Sequence, residues 1–332
     1  MDVVSDAISA VRQGRPSSNR VRAGGSWCVR LDPYEGAGFH VVLAGRCWLL
    51  PDGGGPPVAL GTGDAVLLPH GTGHVLADSP ADAATVARAV PFERWREETG
   101  PRTAVPEHER AELLCGKYRL DRSRAHPLMA ELPEVVVLAA GGRPDGGGGG
   151  GDGGGGAAGA GESEQHRELR AAIALLGAEQ DPRRPGSGIA LPNLLDLLLV
   201  YMLRSWMAEA ATGTWPAALG DPVAATALQA IHADPAAAWT VASLAAEAGV
   251  SRPTLVRRFT PLVGRPPMAY VTWWRLTLAA TLLRDTSASL TTIARRVGYG
   301  SPYAFSHAFA REFGTTPGRF RSRTANARPP AA

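Results

Sequence analysis

Fourteen of the forty glycines in this 332-residue chain fall between Gly141 and Gly161. A stretch with so few side chains cannot bury apolar surface, so it predicts a disordered linker or loop, and no single hydrophobic core can run through it. Elsewhere the composition is that of globular protein. Hydrophobic residues make up 45% of the chain and charged residues 20%, enough for two or three domains. No apolar run approaches the ~20 residues that a membrane span needs. The start, MDVVSDAISAVRQGRP, lacks a basic segment followed by an apolar one, so no secretory signal is expected. Three cysteines, Cys28, Cys47 and Cys115, are too few for a disulfide scaffold and fit reduced thiols in a cytoplasmic protein.

The two sides of the tract differ in period. From Trp27 to Leu138, short apolar runs such as Phe39–Ala44, Cys47–Leu50, Ala65–Leu68 and Val135–Leu138 alternate with Gly/Pro turns. That pattern predicts an antiparallel barrel or sandwich, with Glu93–Arg102 and the stretch before Cys115 as an exposed connection. After the tract the period is helical. Leu169, Ile173 and Leu176 share one face, and Pro192–Glu209 (PNLLDLLLVYMLRSWMAE) is apolar around most of its circumference. With Asp196 and Arg204 inside it, this reads as a packing or dimer helix rather than a membrane span, with Leu194–Met207 as the expected dimer contact.

Charge is unevenly spread. From Ser251 onward thirteen arginines face only Asp285 and Glu312, a net +11, which leaves −8 for the remainder of a chain of net +3. Arginine's planar fork suits phosphate and base edges, so duplex DNA is favoured over a membrane surface as partner. The same region contains two helix–turn–helix patterns, Val241–Phe259 and Leu290–Phe309, joined by one helix from Pro266-Pro267 to about Leu283. Thr240, Ser251, Ser289 and Ser301 stand where N-caps belong, and Gly249, Gly298 and Gly314 where helices end. In the second helix of each unit, Leu255, Phe259 and Leu262, or Phe305 and Phe309, form the core side. A spacing of 3.6 residues then turns Pro253 and Arg257 outward in the first, with Arg252, Val256 and Arg258 flanking them. In the second, Tyr303 and His307 turn outward, with Ser306 and Arg311 beside them. Trp239, Tyr299 and Phe320 are expected in the core, and of Trp273 and Trp274 one ring is expected inward and one outward.

SLAAEAGVSRPTLVRRF, G-PPMAYVTWWRL and IARRVGYGSPYAFSHAFAREFGTTPGRFR together resemble the DNA-binding domain of AraC-type transcription regulators, over Asp221–Arg323. The resemblance implies seven helices, with Arg252–Val263 and Pro302–Phe313 as recognition helices in successive major grooves, and RNA polymerase as a partner. It puts base contacts on Pro253, Val256 and Arg257, then on Pro302, Tyr303, Ser306 and His307. Pro253 and Val256 offer only apolar contact, and His307 stands where the family often has arginine.

Gly63-Asp-Ala-Val-Leu-Leu-Pro69-His70-Gly71-Thr72-Gly73-His74 resembles the second cupin motif, and FHVVLAGRCW the end of the first. The resemblance, over Asp6–Leu138, implies a cupin-type sensor domain of the kind found before AraC-type DNA-binding units. A catalytic cupin needs three or four metal ligands. His74 fits the last place, but the glutamate place falls on Gly38 and no His pair precedes it. His40 can point inward to join His74, and Cys47 or His70 can add a third ligand; an empty or small-molecule-binding barrel, with no metal, cofactor or catalysis, is favoured. Lys117 and Arg119 alternate with Cys115 on a strand face and can favour its thiolate, the alternative being a small buried core residue.

The expected whole is an α+β multidomain chain. A cupin-like barrel occupies residues 1–140, a linker 141–164, a helical dimerisation segment 165–215, and a double helix–turn–helix domain 221–325. Its expected role is that of a homodimeric, cytoplasmic, DNA-binding regulator responding to a small molecule or another signal. A thiol-based redox sensor, a metal-dependent cupin enzyme fused to a DNA-binding domain, and an architectural DNA binder are the alternatives.

Overall fold

The computed structural model describes residues 2–12, 14–80, 83–99, 110–120, 126–139, 164–179, 184–210 and 214–326. The Gly141–Gly161 tract lies outside them. The chain opens with helix α1 (Val3–Val11) and strands β1 (Ser17–Gly24), β2 (Cys28–Leu31), β3 (Ala37–Ala44), β4 (Arg46–Pro51), β5 (Val58–Gly61), β6 (Ala65–Leu68) and β7 (His74–Ala77). Then come α2 (Ala83–Ala87), β8 (Val90–Pro91), α3 (Phe92–Thr99), β9 (Arg110–Tyr118), α4 (Pro127–Ala130) and β10 (Val136–Leu138). The rest is helical: α5 (Glu164–Ala178), α6 (Ser187–Glu209), α7 (Thr214–Gly220), α8 (Pro222–Ala233), α9 (Val241–Glu247), α10 (Arg252–Val263), α11 (Pro267–Asp285), α12 (Leu290–Arg296), α13 (Pro302–Phe313) and α14 (Pro317–Asn326).

The strands form two five-stranded sheets, ordered β1-β9-β3-β6-β10 and β5-β4-β7-β2-β8, antiparallel except for the β2–β8 pair. Their inner faces share one core: Val21, Val42, Val66, Leu68, Leu113 and Cys115 from the first sheet meet Val29, Cys47, Leu49, Leu60 and Leu76 from the second. This is the expected antiparallel β-fold. Of the residues expected in an exposed connection, the first segment is instead partly the helix α3, because Phe92 and Trp95 give it an apolar side that packs on the barrel core. The stretch before Cys115 lies in β9, paired with β1 and β3, with Ala111, Leu113 and Leu114 buried.

The chain divides into two compact units, and the division departs from the expected one. One unit holds Gln13–Arg122 and Leu132–Ala210; the other holds Met1–Arg12, Ser123–Glu131 and Ala211–Ala332. Helices α5 and α6 therefore belong to the barrel unit and do not form a segment of their own. By length and composition α6 could cross a membrane. Within its unit, however, Leu195, Leu198, Leu199, Met202 and Leu203 are buried, α6 packs against α5 and β10, and the Tyr118 hydroxyl donates to the Leu195 carbonyl. Part of the apolar surface expected to serve a dimer is thus covered internally, while Leu194, Val200, Tyr201, Trp206 and Met207 are half-buried. Ile189 (74% exposed), Leu175 on α5 (54%) and Leu197 (37%) remain outside.

In the other unit the caps stand where the sequence puts them. Thr240 and Ser243 form a reciprocal capping box on α9, and Ser251, Ser289 and Ser301 accept from the third backbone N–H of α10, α12 and α13. Gly264 and Gly314 close α10 and α13 in the left-handed conformation. Asp221 caps α8: its Oδ1 accepts from the N–H groups of Val223 and Ala224, both at 2.9 Å, while its Oδ2 takes the Arg258 guanidinium.

Burial raises the pKa of Asp221, but the Ala224 N–H, Arg258 and the Val223 N–H together outweigh it and hold the carboxyl below its ordinary value. A depressed carboxyl stabilises the fold above its unfolded pKa, and that stability is lost as pH falls through the folded value. Asp221→Ala should destabilise by about 1–2 kcal/mol at neutral pH, measured by urea unfolding. The gap to wild type should close as the pH is lowered below about 4.

Candidate nucleic-acid interface and sensor pocket

Helices α9 and α10, and α12 and α13, form the two helix–turn–helix units, and α11 runs between them. The second unit closes over Leu276, Ala280 and Leu283 of α11 with Ile293, Val297, Phe305 and Phe309. Phe309 stacks on Phe313 at 3.9 Å, and Phe320 meets both edge-on. These contacts bury the inner side of α13, and Leu255, Phe259 and Val263 are buried in α10. The opposite sides are open. Arg252, Pro253, Val256 and Arg257 are exposed on α10, as are Pro302, Tyr303, His307 and Arg311 on α13, with Tyr303 84% exposed. Ser306 is half-buried.

Arg258 differs from the expected flank position, because its Nε and one terminal nitrogen are held by Asp221. Other arginines of the basic third also serve the fold. Arg275 donates to the carbonyls of Pro235 (2.7 Å), Ala237 (2.6 Å) and Gly298 (3.4 Å), and Arg321 donates to that of Ala288 (2.6 Å). Arg265 lies over the Trp273 ring at 5.4 Å. Charge counting along the sequence could not separate these from the outward arginines. The two tryptophans of α11 depart from expectation as well: Trp273 and Trp274 are both buried.

In the barrel unit, β3 and β7 come from opposite sheets and bring His40 and His74 together with Nε2 atoms 2.7 Å apart. His74 owes its place to the turn before it. Gly71 has φ +56°, and a Cβ there would meet the Tyr34 carbonyl oxygen at 2.2 Å, so only glycine lets the two backbones approach. The hydrogen bonds assign the tautomers. A carbonyl only accepts, so His74 Nδ1 donates to Thr72 O at 3.0 Å and its Nε2 is left to accept from His40 Nε2–H. His40 Nδ1 is then a bare acceptor, buried and without a partner, and the Tyr34 hydroxyl is likewise unpartnered. Burial, and secondarily His74, pushes the His40 pKa well below its ordinary value; burial also lowers that of His74. Both rings are therefore neutral near pH 7.

The pair lines a cavity of about 440 Å³ with Ser17, Asn19, Tyr34, Cys115 and Lys117. The proposed third ligands lie elsewhere. His70 Nε2 donates to Leu132 O at 2.7 Å, and Cys47 is in the barrel core. No group of three His, Cys, Asp or Glu side chains suited to a metal occurs among the described residues. Burial pushes the Cys47 thiol up to about 12, with Asp64 adding to it, and raises Cys28 and Cys115 too. Cys115 is therefore a buried core thiol, and the neighbouring Lys117 and Arg119 do not make it a thiolate.

The chain matches the cupin family model over residues 2–148 and 158–208 and the helix-turn-helix domain model over residues 244–323. It is 34% identical over 323 residues to an AraC-like transcription regulator of Streptomyces lividans, covering 97% of this chain and 98% of that protein. It is also 34% identical over 329 residues to one of Streptomyces antibioticus, with 97% and 98% covered. The HTH-type transcriptional regulator AlkR of Acinetobacter baylyi is 25% identical over 98% of this chain and 100% of its own length. With its β-rich cupin region ahead of two helix–turn–helix units, this chain belongs to the AraC-type DNA-binding transcription regulators.

Proposed function

We propose that this regulator is a cytoplasmic homodimer that reads two short blocks of duplex DNA per protomer and binds a small neutral molecule in its barrel. The observation that carries the DNA reading is the pair of outward helix faces, each held by a buried aromatic core and joined by one helix. Such faces enter successive major grooves, about 10 bp apart on one side of the duplex. Arg257 is the guanine reader of the first block, its fork pairing with O6 and N7, while Arg252, Pro253 and Val256 flank it. In the second block Pro302, Tyr303, Ser306 and His307 face the bases and Arg311 the phosphates. Arg258 is left out of this base-reading set because its Nε and one terminal nitrogen are bonded to Asp221.

The sensor reading rests on the unpartnered His40 Nδ1 and Tyr34 hydroxyl beside the cavity. A buried acceptor and a buried hydroxyl suit an uncharged ligand that offers a hydrogen-bond donor. Two ring nitrogens already bonded to each other make a poor metal set, so we infer a binding barrel without catalysis. The dimer contact falls on the exposed apolar residues Leu175, Ile189 and Leu197. RNA polymerase is the partner through which such a dimer acts on transcription.

Three kinds of measurement check this reading. Arg257→Ala should cost about 1–3 kcal/mol on a duplex selected from a random pool and relax preference at one position of the first block. His307→Ala should act on the second block and cost less, and Arg323→Ala should weaken selected and scrambled duplexes alike in titrations at two salt concentrations. Equal losses on both duplexes for Arg257→Ala would reduce α10 to a phosphate holder. Elemental analysis should find well under one equivalent of Fe, Mn, Zn, Ni or Cu; a stoichiometric metal lost in His74→Ala would promote the metalloenzyme reading. Ile189→Asp combined with Leu197→Asp should convert the dimer to a monomer in light scattering.

A further inference from the structure

The DNA-binding unit contains a buried chain of hydrogen bonds to which four helices and their caps contribute. His126 caps α4, and its Nδ1 accepts from the Leu128 backbone N–H at 3.2 Å. Its proton is therefore on Nε2, which donates to the Tyr270 hydroxyl at 3.2 Å. That hydroxyl donates onward to His232 Nε2 at 2.8 Å, and His232 Nδ1–H donates to Asp6 Oδ2 at 2.9 Å. Every bond runs in one direction, from the Leu128 backbone to Asp6, and each donor is used once. All four side chains are buried. The rings of Trp215, Trp273 and Trp274 close around His126 at 4.8, 5.3 and 6.0 Å between centroids. Burial, reinforced by His232, keeps His126 neutral, which the chain of donors requires.

Tyr270 is the member that faces the recognition machinery. It lies in the first turn of α11, and its ring meets Phe259 of α10 edge-on at 5.9 Å. Phe259 belongs to the buried side of the first recognition helix, opposite Arg257. The seat of α10 thus includes a ring whose hydroxyl is oriented by His126 on one side and His232 on the other. A second tie holds the same segment: the Glu131 carboxylate accepts from the Trp215 backbone N–H at 3.0 Å, and α7, which carries Trp215, packs on α10.

We propose that His126 is a positioning residue for DNA recognition: by orienting Tyr270 it fixes the seat of the first recognition helix, and it touches no DNA itself. The chain supplies this residue from between two barrel strands, β9 and β10, and β9 carries the pocket residues Cys115 and Lys117. Asp6, at the other end of the hydrogen-bond chain, precedes β1, which carries Ser17 and Asn19 of the same pocket. Two strands that line the cavity therefore adjoin, in the sequence, the two ends of the chain that seats α10.

His126→Asn separates the two roles of the residue, since asparagine still accepts at an N-cap through Oδ1, while its amide nitrogen, one bond shorter than Nε2, falls short of the Tyr270 hydroxyl. In the full-length protein, binding would be titrated on a duplex selected from a random pool, and on versions with the first or the second block scrambled. His126→Asn and the nearly isosteric Tyr270→Phe should each weaken binding about three- to tenfold per active molecule, the range expected for one or two lost hydrogen bonds. The loss should persist when the second block is scrambled and vanish when the first is. The double variant should lose less than the product of the two single losses, because both remove the same bond. An unchanged dissociation constant with only a smaller active fraction would overturn the proposal, as would an equal loss on both scrambled duplexes. If His126→Asn fails to fold, Tyr270→Phe is read by the same titrations, and either of those two results would overturn the proposal in the same way.

Discussion

Burial of α11 around nearly its whole circumference is the constraint on which the DNA-binding unit depends. Tyr270, Val271, Trp273, Trp274, Leu276, Ala279, Ala280 and Leu283 are all buried, so the helix serves as core for the helices on either side of it in the chain. Its later turns complete the Phe305–Phe309 core of the second helix–turn–helix unit. Its first turns meet Phe259 of the first. A close-packed helix between two cores leaves little freedom for either to rotate alone, so the outward faces of α10 and α13 keep a set spacing.

The arginines of the C-terminal third then divide by what they touch. Arg275 and Arg321 satisfy backbone carbonyls at loops and helix ends that would otherwise be left without donors. Arg258 joins α10 to the cap of α8 through Asp221. Arg252, Arg257 and Arg311 are exposed, with no part in holding the two units' cores. A basic region can thus have a smaller reading surface than its net charge suggests, because guanidinium groups hold this fold together as well.

The barrel is organised around a different interaction. Two sheets contribute one histidine each to the interior, and their mutual hydrogen bond leaves one ring nitrogen and one tyrosine hydroxyl without partners. Buried polar atoms in that state are costly unless something binds them.

Much of this was legible in the sequence, for identifiable reasons. The helix caps, the two helix–turn–helix units and their outward residues follow from local rules: short-range hydrogen bonds at Thr240, Ser251, Ser289 and Ser301, and a period of 3.6. The strands of the barrel and the inward aim of His40 and His74 follow from alternation and a glycine-dependent turn. What the sequence could not show involves groups far apart along it. Asp6, His126, His232 and Tyr270 carry no common motif, and none stands out among its neighbours. Only folding brings α1 and the segment after β9 into the DNA-binding unit, packs α5 and α6 onto the barrel, and turns both Trp273 and Trp274 inward. The sequence by itself determined the local elements, because backbone hydrogen bonding and side-chain periodicity act within a few residues. The tertiary structure alone decided which arginines, thiols and histidines are engaged, because burial and pairing depend on partners distant in the chain.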